Sequence, residues 1–414
     1  MIAVSRSSSL FTEKKSYQQD RKQSKVLLVA NTGWYLYNFR LSLAKEIRRR
    51  GTAVVFVSPW DPYVEKIKAE GFWWIELDMN RRSTNPLLEM YALFRLFLIY
   101  MVESPDIVHH FTIKCVLYGT LAAKLSRTKH VVNAITGLGY VFINKSVKAR
   151  IIKFGVQLLY FFVLNARRCR TIFQNNDDFN FLVNRKLVSP KKASLIRSSG
   201  VDLQRFKPQP SPSENTQATV LLASRIVGDK GVYEYVEAAK KLRAQGYDVI
   251  FKMAGALYSG NPSAICEDEV SRWTTERTID WIGHVDNIET VIAEADIVVL
   301  PSHGGEGVPK ILIEAAAMAK PLVATDVPGC RDAVKPGVNG FLVPVKDAAC
   351  LSAAIQRLVD DPSLRHRMGS AGRKKVAAEF DLEVVIEKTL EVYREMMTVK
   401  KSSSTPLPTG AVQW

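Results

Sequence analysis

Residues 301–317, PSHGGEGVPKILIEAAA, hold the densest group of residues in the chain that could do chemistry. The apolar run ADIVVL leads into Pro301, and a glycine-rich loop follows. A helix is predicted to begin near Pro309, since proline suits the first helical position, where a missing N–H is no loss. The leading N–H groups around Gly307, Val308 and Lys310 then point out of the helix start, an arrangement that binds phosphate. Gly304, Gly305 and Gly307 let a ligand come close to the backbone. Two carboxylates stand in the same stretch, Glu306 in the loop and Glu314 inside the helix. Glu306 could simply cap the helix and Glu314 could face water. But Glu314 sits in ILIEAAA, where an unpaired carboxylate is costly. Carboxylates beside a phosphate site make chemical sense if they accept hydrogen bonds from sugar hydroxyls.

Two cations, Arg225 and Lys230, stand in ASRIVGDKG (223–231). This segment is read as the loop between a strand and a helix, opening at the same sheet edge as Glu306. Together they can neutralise a diphosphate leaving group, work that Mg²⁺ does in many enzymes. No aspartate pair of the DxD kind follows a strand; Glu267-Asp268-Glu269 lies in a polar helical stretch. No metal and no cofactor are therefore expected.

These loops need strands to carry them. KVLLVA (25–30), AVVFVS (53–58), DIVHHF (106–111) and HVVNAI (130–135) are short apolar runs separated by helical stretches. The pattern restarts at TVLLAS (219–224) and continues through VIFKMAG, TIDWIGHV, ADIVVLPS, PLVATD and GFLVP. Strands alternating with helices predict parallel sheets covered on both faces, here α/β in two doubly wound domains. In such domains ligands bind at the carboxyl ends of the strands, and with two domains the cleft between them is the expected site. The predicted organisation is a disordered basic tail over 1–24, a first domain over 25–206 and a linker over 207–217. A second domain over 218–380 follows, then a helix over 381–397 that could cross back to the first domain, and a flexible tail over 398–414.

Residues 1–200 carry 32 Lys and Arg against 13 Asp and Glu, a balance of +19, whereas the remainder is at −3. That asymmetry predicts an anionic partner for the first half, a membrane surface or nucleic acid, unless the charge is merely solvated. Five cysteines without CxxC spacing support neither a disulfide framework nor a zinc site. The first residues lack the apolar core of a secretory signal. Two apolar stretches, 87–102 and 151–166, are too short and too charged to span a membrane. Burial as core helices is predicted for at least one. The second has basic flanks, Lys145, Lys148 and Arg150 before it and Arg167, Arg168 and Arg170 after it, and could lie in a membrane interface.

The E-x7-E spacing from Glu306 to Glu314, SRIVGDKG and TDVPGCRDAVKPGVNGFLVP (325–344) resemble the retaining glycosyltransferases of family 4, which have the GT-B fold of two Rossmann-like domains. The likeness extends from about residue 25 to residue 396. NTGWYLYNFRLSLAKEIRRRG (31–51), DMNRRSTNPL (78–87), PDIVHHFTIK (105–114) and ITGLGYVF (135–142) resemble the subgroup that extends undecaprenyl-diphosphate-linked oligosaccharides in O-antigen and capsule assembly.

The resemblance implies residue roles. Glu306 would hold donor-sugar hydroxyls, Glu314 the ribose, and Arg225 with Lys230 the diphosphate. The backbone of Gly307, Val308 and Pro309 would lie beside sugar and diphosphate, and Gly283-His284-Val285 would meet the base. On the acceptor side the family commonly carries His-x-His after PDIVH; here the residues are His109-His110-Phe111. Either His110 takes the role of the second histidine or none is needed, and His109 could instead be a buried structural residue. Asn31-Thr32-Gly33 and Thr136-Gly137-Leu138-Gly139 would face acceptor and diphosphate, although the usual Gly-Gly pair of the first loop is absent. The implied enzyme moves a hexose or N-acetylhexosamine, UDP-linked, with retention, to a polyprenyl-diphosphate glycan at the inner face of the cytoplasmic membrane, without nucleic acid. The alternatives are a soluble small acceptor, a nucleotide-sugar epimerase, or a basic binding protein without catalysis.

Overall fold

The computed structural model describes residues 23–80, 83, 85–137, 147–209, 217–258, 260–305 and 307–398. Most of the predicted N-terminal tail, residues 210–216 of the linker, Leu138, Gly139, Lys145, Glu306 and the end from 399 onward lie outside the described residues. By contact density the chain divides into two compact units, Met1–Asn133 with Met396–Trp414, and Ala134–Glu395.

Two sheets carry the fold, and the strand pairings described in each are parallel. The first has the order β3-β2-β1-β4-β5-β6-β7, from β1 (Lys25–Val29), β2 (Ala53–Ser58), β3 (Trp73–Glu76), β4 (Ile107–Phe111), β5 (His130–Ile135), β6 (Cys169–Phe173) and β7 (Ala193–Leu195). In it Leu28 stands opposite Phe56 on one side and His109 on the other. The second has the order β10-β9-β8-β11-β12-β13, from β8 (Ala218–Ala223), β9 (Val249–Ala254), β10 (Asp280–Trp281), β11 (Ile297–Leu300), β12 (Leu322–Thr325) and β13 (Gly340–Val343). Both are α/β sheets of the doubly wound kind, with the reversal of order at β1/β4 and at β8/β11.

The helices of the first half are α1 (Gly33–Arg49), α2 (Tyr63–Ala69), α3 (Pro86–Glu103), α4 (Ile113–Leu125), α5 (Val147–Leu164) and α6 (Asn176–Asn184). Those of the second are α7 (Val232–Ala244), α8 (Glu267–Thr275), α9 (Ile288–Glu294), α10 (Lys310–Ala317), α11 (Cys330–Ala333), α12 (Ala348–Asp360), α13 (Pro362–Glu379) and α14 (Leu382–Thr398). Strand β8 shows why its sequence is apolar throughout. Leu221 and Ala223 enter one core cluster, with Leu312 and Ile313 of α10, while Val220 and Leu222 enter another, with Tyr235 of α7 and Leu351 of α12. A parallel strand covered on both faces has no solvent side to mark with polar residues.

In the first unit α1 starts at a Thr32 cap and turns Leu36, Arg40, Leu43 and Ile47 to the core. The cation in that stripe is accommodated by aromatic rings. The Arg40 guanidinium lies 4.3 Å from the Phe111 ring centre and donates to the Tyr35 hydroxyl at 2.7 Å. Burial, expected for at least one of the two apolar stretches, is partial for residues 87–102. Helix α3 buries Ala92, Leu96, Ile99 and Tyr100, but its opposite face, from Leu87 to Val102, is in solvent. On α5, Leu158, Leu159, Phe161 and Phe162 are exposed. No described helix is long and apolar enough to cross a membrane.

Candidate active site

Strands β8 and β11 are neighbours at the point where the order of the second sheet reverses. Their following helices pack on opposite faces, α7 on one and α10 on the other. The crevice opened between the two departing loops is where sheets of this kind bind ligands. Arg225 and Lys230 lie in the first loop, Gly304 to Pro309 in the second.

The two loops are bonded to one another. The Asp229 carbonyl accepts from the His303 N–H at 2.8 Å and from the Ser302 hydroxyl at 3.3 Å. A Cβ on Gly231 would fall on the carbonyl oxygen of Pro301, so only glycine lets these backbones touch. The Thr325 hydroxyl donates to the Ser302 carbonyl, and the His303 Nε2 meets Glu234 Oε1 at 3.1 Å. Burial pushes the Glu234 carboxyl up, but the His303 hydrogen bond and nearby positive charge outweigh it and leave the group below its ordinary value. Arg225 is exposed, with its guanidinium 5.1 Å from the Tyr258 ring centre, and Lys230 is half-buried in the turn Gly228–Lys230.

The glycine loop turns through positive φ at Gly304 (125°) and Gly305 (76°). Glu306 lies outside the described residues. At Gly307 an added Cβ would stand 2.5 Å from the Thr136 carbonyl oxygen and 3.1 Å from Gln174 Oε1. The structure thus brings Thr136, expected at the acceptor side, against the glycine loop. Gln174 is held beside them by its N–H bond to the Ile135 carbonyl. Next to it Asn176 and Arg197 both bind Asp332, at 2.9 and 3.1 Å, which fixes this side of the loop.

Helix α10 begins at Lys310, one residue later than predicted. Pro309 has an extended ψ of 124° and takes the cap position, where its carbonyl accepts from Leu312. Glu314 is buried among Leu312, Ile313 and Ala315–Ala317, and Lys310 Nζ stands 3.4 Å from its Oε1. That lysine, one turn earlier, supplies the charge partner that the apolar stretch demands. Val308 is buried in the same cluster, and Val285, after β10, is half-buried against it. Glu267, Asp268 and Glu269 form the first turn of α8, where carboxylates suit the helix dipole. Among the described residues no three His, Cys, Asp or Glu side chains gather as a metal would require.

The acceptor-side expectations fare differently. The Thr32 hydroxyl caps α1 by accepting from Tyr35 N–H at 3.1 Å. Asp61 accepts from Trp34 N–H at 2.9 Å and from Tyr63 N–H at 3.0 Å, and its Oδ1 stands 2.6 Å from where a Gly33 Cβ would be. A carboxylate therefore already takes the Trp34 N–H at this helix start. Only Asn31 and Thr32, both half-buried, are left to meet a ligand there.

His109 and His110 are both enclosed in β4. His110 Nε2 pairs with the Tyr100 hydroxyl at 2.8 Å and Nδ1 with Asn133 Oδ1 at 2.8 Å. The amide oxygen needs a donor, so Nδ1 carries the proton and Tyr100 donates to Nε2. Both nitrogens are used and the ring is fully buried, so the catalytic role expected for His110 is replaced by a core role. Burial holds His110 down at about 4, against the upward pull of the Asn133 bond. His109 lies well below the ordinary value through burial and the neighbouring Arg40 and His110 charges.

This has a measurable consequence. Between pH 6.5 and 4 an unfolded chain protonates His110 while the folded one does not. His110 alone should lower stability by about 3 kcal/mol as the pH drops through that window, in addition to the loss from His109, which has the same sign. Urea midpoints from pH 7 to pH 4 should show this slope, and a His110→Gln variant, though less stable, should lack that share of it. Equal slopes would refute the assignment.

Residues 25–176 match the family model described as glycosyl transferase 4-like, and residues 204–375 the model described as glycosyl transferases group 1. The chain is a glycosyltransferase of this family. The transferase is 26% identical, over 380 residues, to the N,N'-diacetylbacillosaminyl-diphospho-undecaprenol alpha-1,3-N-acetylgalactosaminyltransferase of Campylobacter jejuni, covering 89% of this chain and 98% of that one. It is 25% identical, over 336 residues, to the UDP-Gal:alpha-D-GlcNAc-diphosphoundecaprenol alpha-1,3-galactosyltransferase of Escherichia coli, covering 77% of this chain and 83% of that one. The crystal structure of Anabaena Alr3699/HepE in complex with UDP matches the transferase with a TM-score of 0.73 at 17% identity, over 90% of this chain and all of that one. The transferase thus has the GT-B fold expected of it.

Three residues beside the candidate site residues escaped sequence reasoning, Asp61, Gln174 and His303, and of Lys310 only the backbone N–H was foreseen, not the side chain's pairing with Glu314. Gln174 had a signal, as the first polar residue after the apolar end of β6. His303 is the third residue after the end of β11. Asp61 acts on a helix that starts 28 positions earlier and had none.

Proposed function

We propose that this glycosyltransferase moves a hexose or N-acetylhexosamine from a UDP-sugar to a polyprenyl-diphosphate-linked glycan, with retention and without a metal ion. The bonded pair of loops at β8 and β11 carries the reading, because it joins two cations to a glycine-lined helix start at one crevice. The printed activities of the Campylobacter and Escherichia relatives, both on diphospho-undecaprenol acceptors, support the acceptor class.

In this account Arg225 and Lys230 hold the diphosphate and stabilise the charge that grows on it. Glu306 binds donor-sugar hydroxyls, Glu314 the ribose, and the backbone of Gly307 and Val308 lies along the diphosphate. Pro309 has no N–H to offer. Val285 meets the base. The bond from the anomeric carbon to the phosphate oxygen breaks as the acceptor oxygen attacks the same face, and the acceptor proton passes to the departing phosphate. Asn31 in the first unit, and Thr136 with Gly137 in the second, are each assigned to the acceptor side. His109, neutral, shapes that approach as a positioning residue. The work is done at the inner face of the cytoplasmic membrane.

A panel of UDP- and GDP-sugars, offered with a short-chain lipid-diphosphate sugar or with free sugars, tests this. One UDP-sugar should be consumed only with the diphosphate acceptor, giving a product whose new anomeric centre, read by NMR, keeps the donor configuration. Consumption with free sugars alone, or an inverted anomer, would reject it.

A further inference from the structure

Helix α3 is apolar on two faces, and the fold covers one. Leu87, Met90, Tyr91, Phe94, Leu98 and Met101 are exposed, from 38% to 76%. Tyr91 is four after Leu87, Phe94 three after Tyr91, Leu98 four after Phe94 and Met101 three after Leu98, with Met90 four before Phe94, so the six draw one stripe along the helix. It is about 21 Å long at 1.5 Å per residue. No charged residue lies in it; Glu89 is turned to Lys114 of α4 at 2.6 Å, which fixes α3 with the stripe outward. Solvent-facing helix surfaces are normally polar, and a continuous apolar patch of this kind marks a contact.

We propose that α3 lies along a bilayer surface with this stripe among the acyl chains, and so seats the transferase on the membrane that holds its acceptor. The inference rests on the lipid-linked acceptor proposed above. Three observations favour a bilayer over another protein. The patch is a single convex helix, the shape that lies flat in an interface rather than one that forms a groove. The helix is not long and apolar enough to cross. The cations Lys124 and Arg127 are exposed at the end of α4, the helix packed on α3, in a half-chain of balance +19, which draws the same region to anionic headgroups. This adds α3 as a membrane contact beside the helix over 151–166, which the sequence raised as one that could lie in an interface.

The test uses the full chain and vesicles of phosphatidylglycerol and phosphatidylethanolamine. Met90→Glu with Phe94→Glu should weaken vesicle binding by about 100-fold, two apolar contacts being lost. Transfer to a short-chain, water-soluble diphosphate acceptor should remain within about twofold, since neither residue is among those assigned to donor or acceptor. If that pair fails to fold, Leu87→Ser with Met101→Ser reads the two ends of the same stripe and should show the same loss. Vesicle binding equal to the unaltered protein's, or an unaltered protein that does not bind vesicles, overturns the inference. So does a dimer, seen by light scattering, that the substitutions split while vesicle binding persists. Absence of transfer to the soluble acceptor by the unaltered protein would reject the proposed reaction instead, and vesicle flotation would still read α3 independently.

Discussion

Gly307→Ala is expected to lower kcat/KM for sugar transfer by about 100-fold, the cost of displacing a reacting group by roughly 1 Å. The added methyl would stand 2.5 Å from the Thr136 carbonyl oxygen and 3.2 Å from its carbon. Neither side can yield easily. Thr136 follows directly on β5, which is buried along its length, and Gln174 is bonded to the Ile135 backbone. On the other side Val308 is anchored in the core with Leu312. The glycine loop must then shift away from Thr136 while the rest of the sheet stays in place. Stability should fall by only about 1–3 kcal/mol, as for other overpacked contacts. Steady-state kinetics on the soluble acceptor and urea denaturation measure the two effects. Turnover close to that of the unaltered protein would show that the approach of Thr136 to Gly307 has no part in catalysis.

Lys230→Ala is expected to reduce kcat by about 100- to 1,000-fold, the range seen when one preorganised donor to a developing charge is removed. The backbone on either side is independently held. Asp229 is bound through its carbonyl to His303 and Ser302, and Gly231 is pressed against Pro301. The truncation therefore removes a charge without releasing the loop, and the unfolding midpoint should barely move. Arg225→Ala should cost less, because that side chain is exposed and stacked on Tyr258. Added Mg²⁺ should not restore the Lys230 variant. Near-normal turnover, or rescue by Mg²⁺, would contradict the clamp.

The donor side was legible because its signals are local. A strand that must be apolar on both faces, a loop of glycines and a proline ahead of a helix follow one another in the chain. Even Glu314, awkward in ILIEAAA, announced a need for a partner, although not that Lys310 supplies it. What the sequence concealed depends on residues distant along it. His110 is a core histidine because Tyr100 and Asn133 close on its two nitrogens, and neither partner is implied by the letters around it. Asp61 takes over the start of α1 from the far side of β2. Strands β3, β6 and β7 were missed because WWIE and ASL are very short, and CRTIF begins with an arginine run ahead of it. The exposed stripe of α3 was hidden for another reason. Composition tells that a helix is apolar, but not how many of its faces the neighbours can cover.

The claim that the crevice between β8 and β11 binds a nucleotide sugar without a metal is tested most directly by calorimetric titration of UDP in EDTA. The protein should bind UDP, and Glu314→Gln, which removes the carboxylate charge with little change of shape, should weaken it by about tenfold or more. UDP binding that needs Mg²⁺, or that Glu314→Gln leaves unchanged, would contradict it.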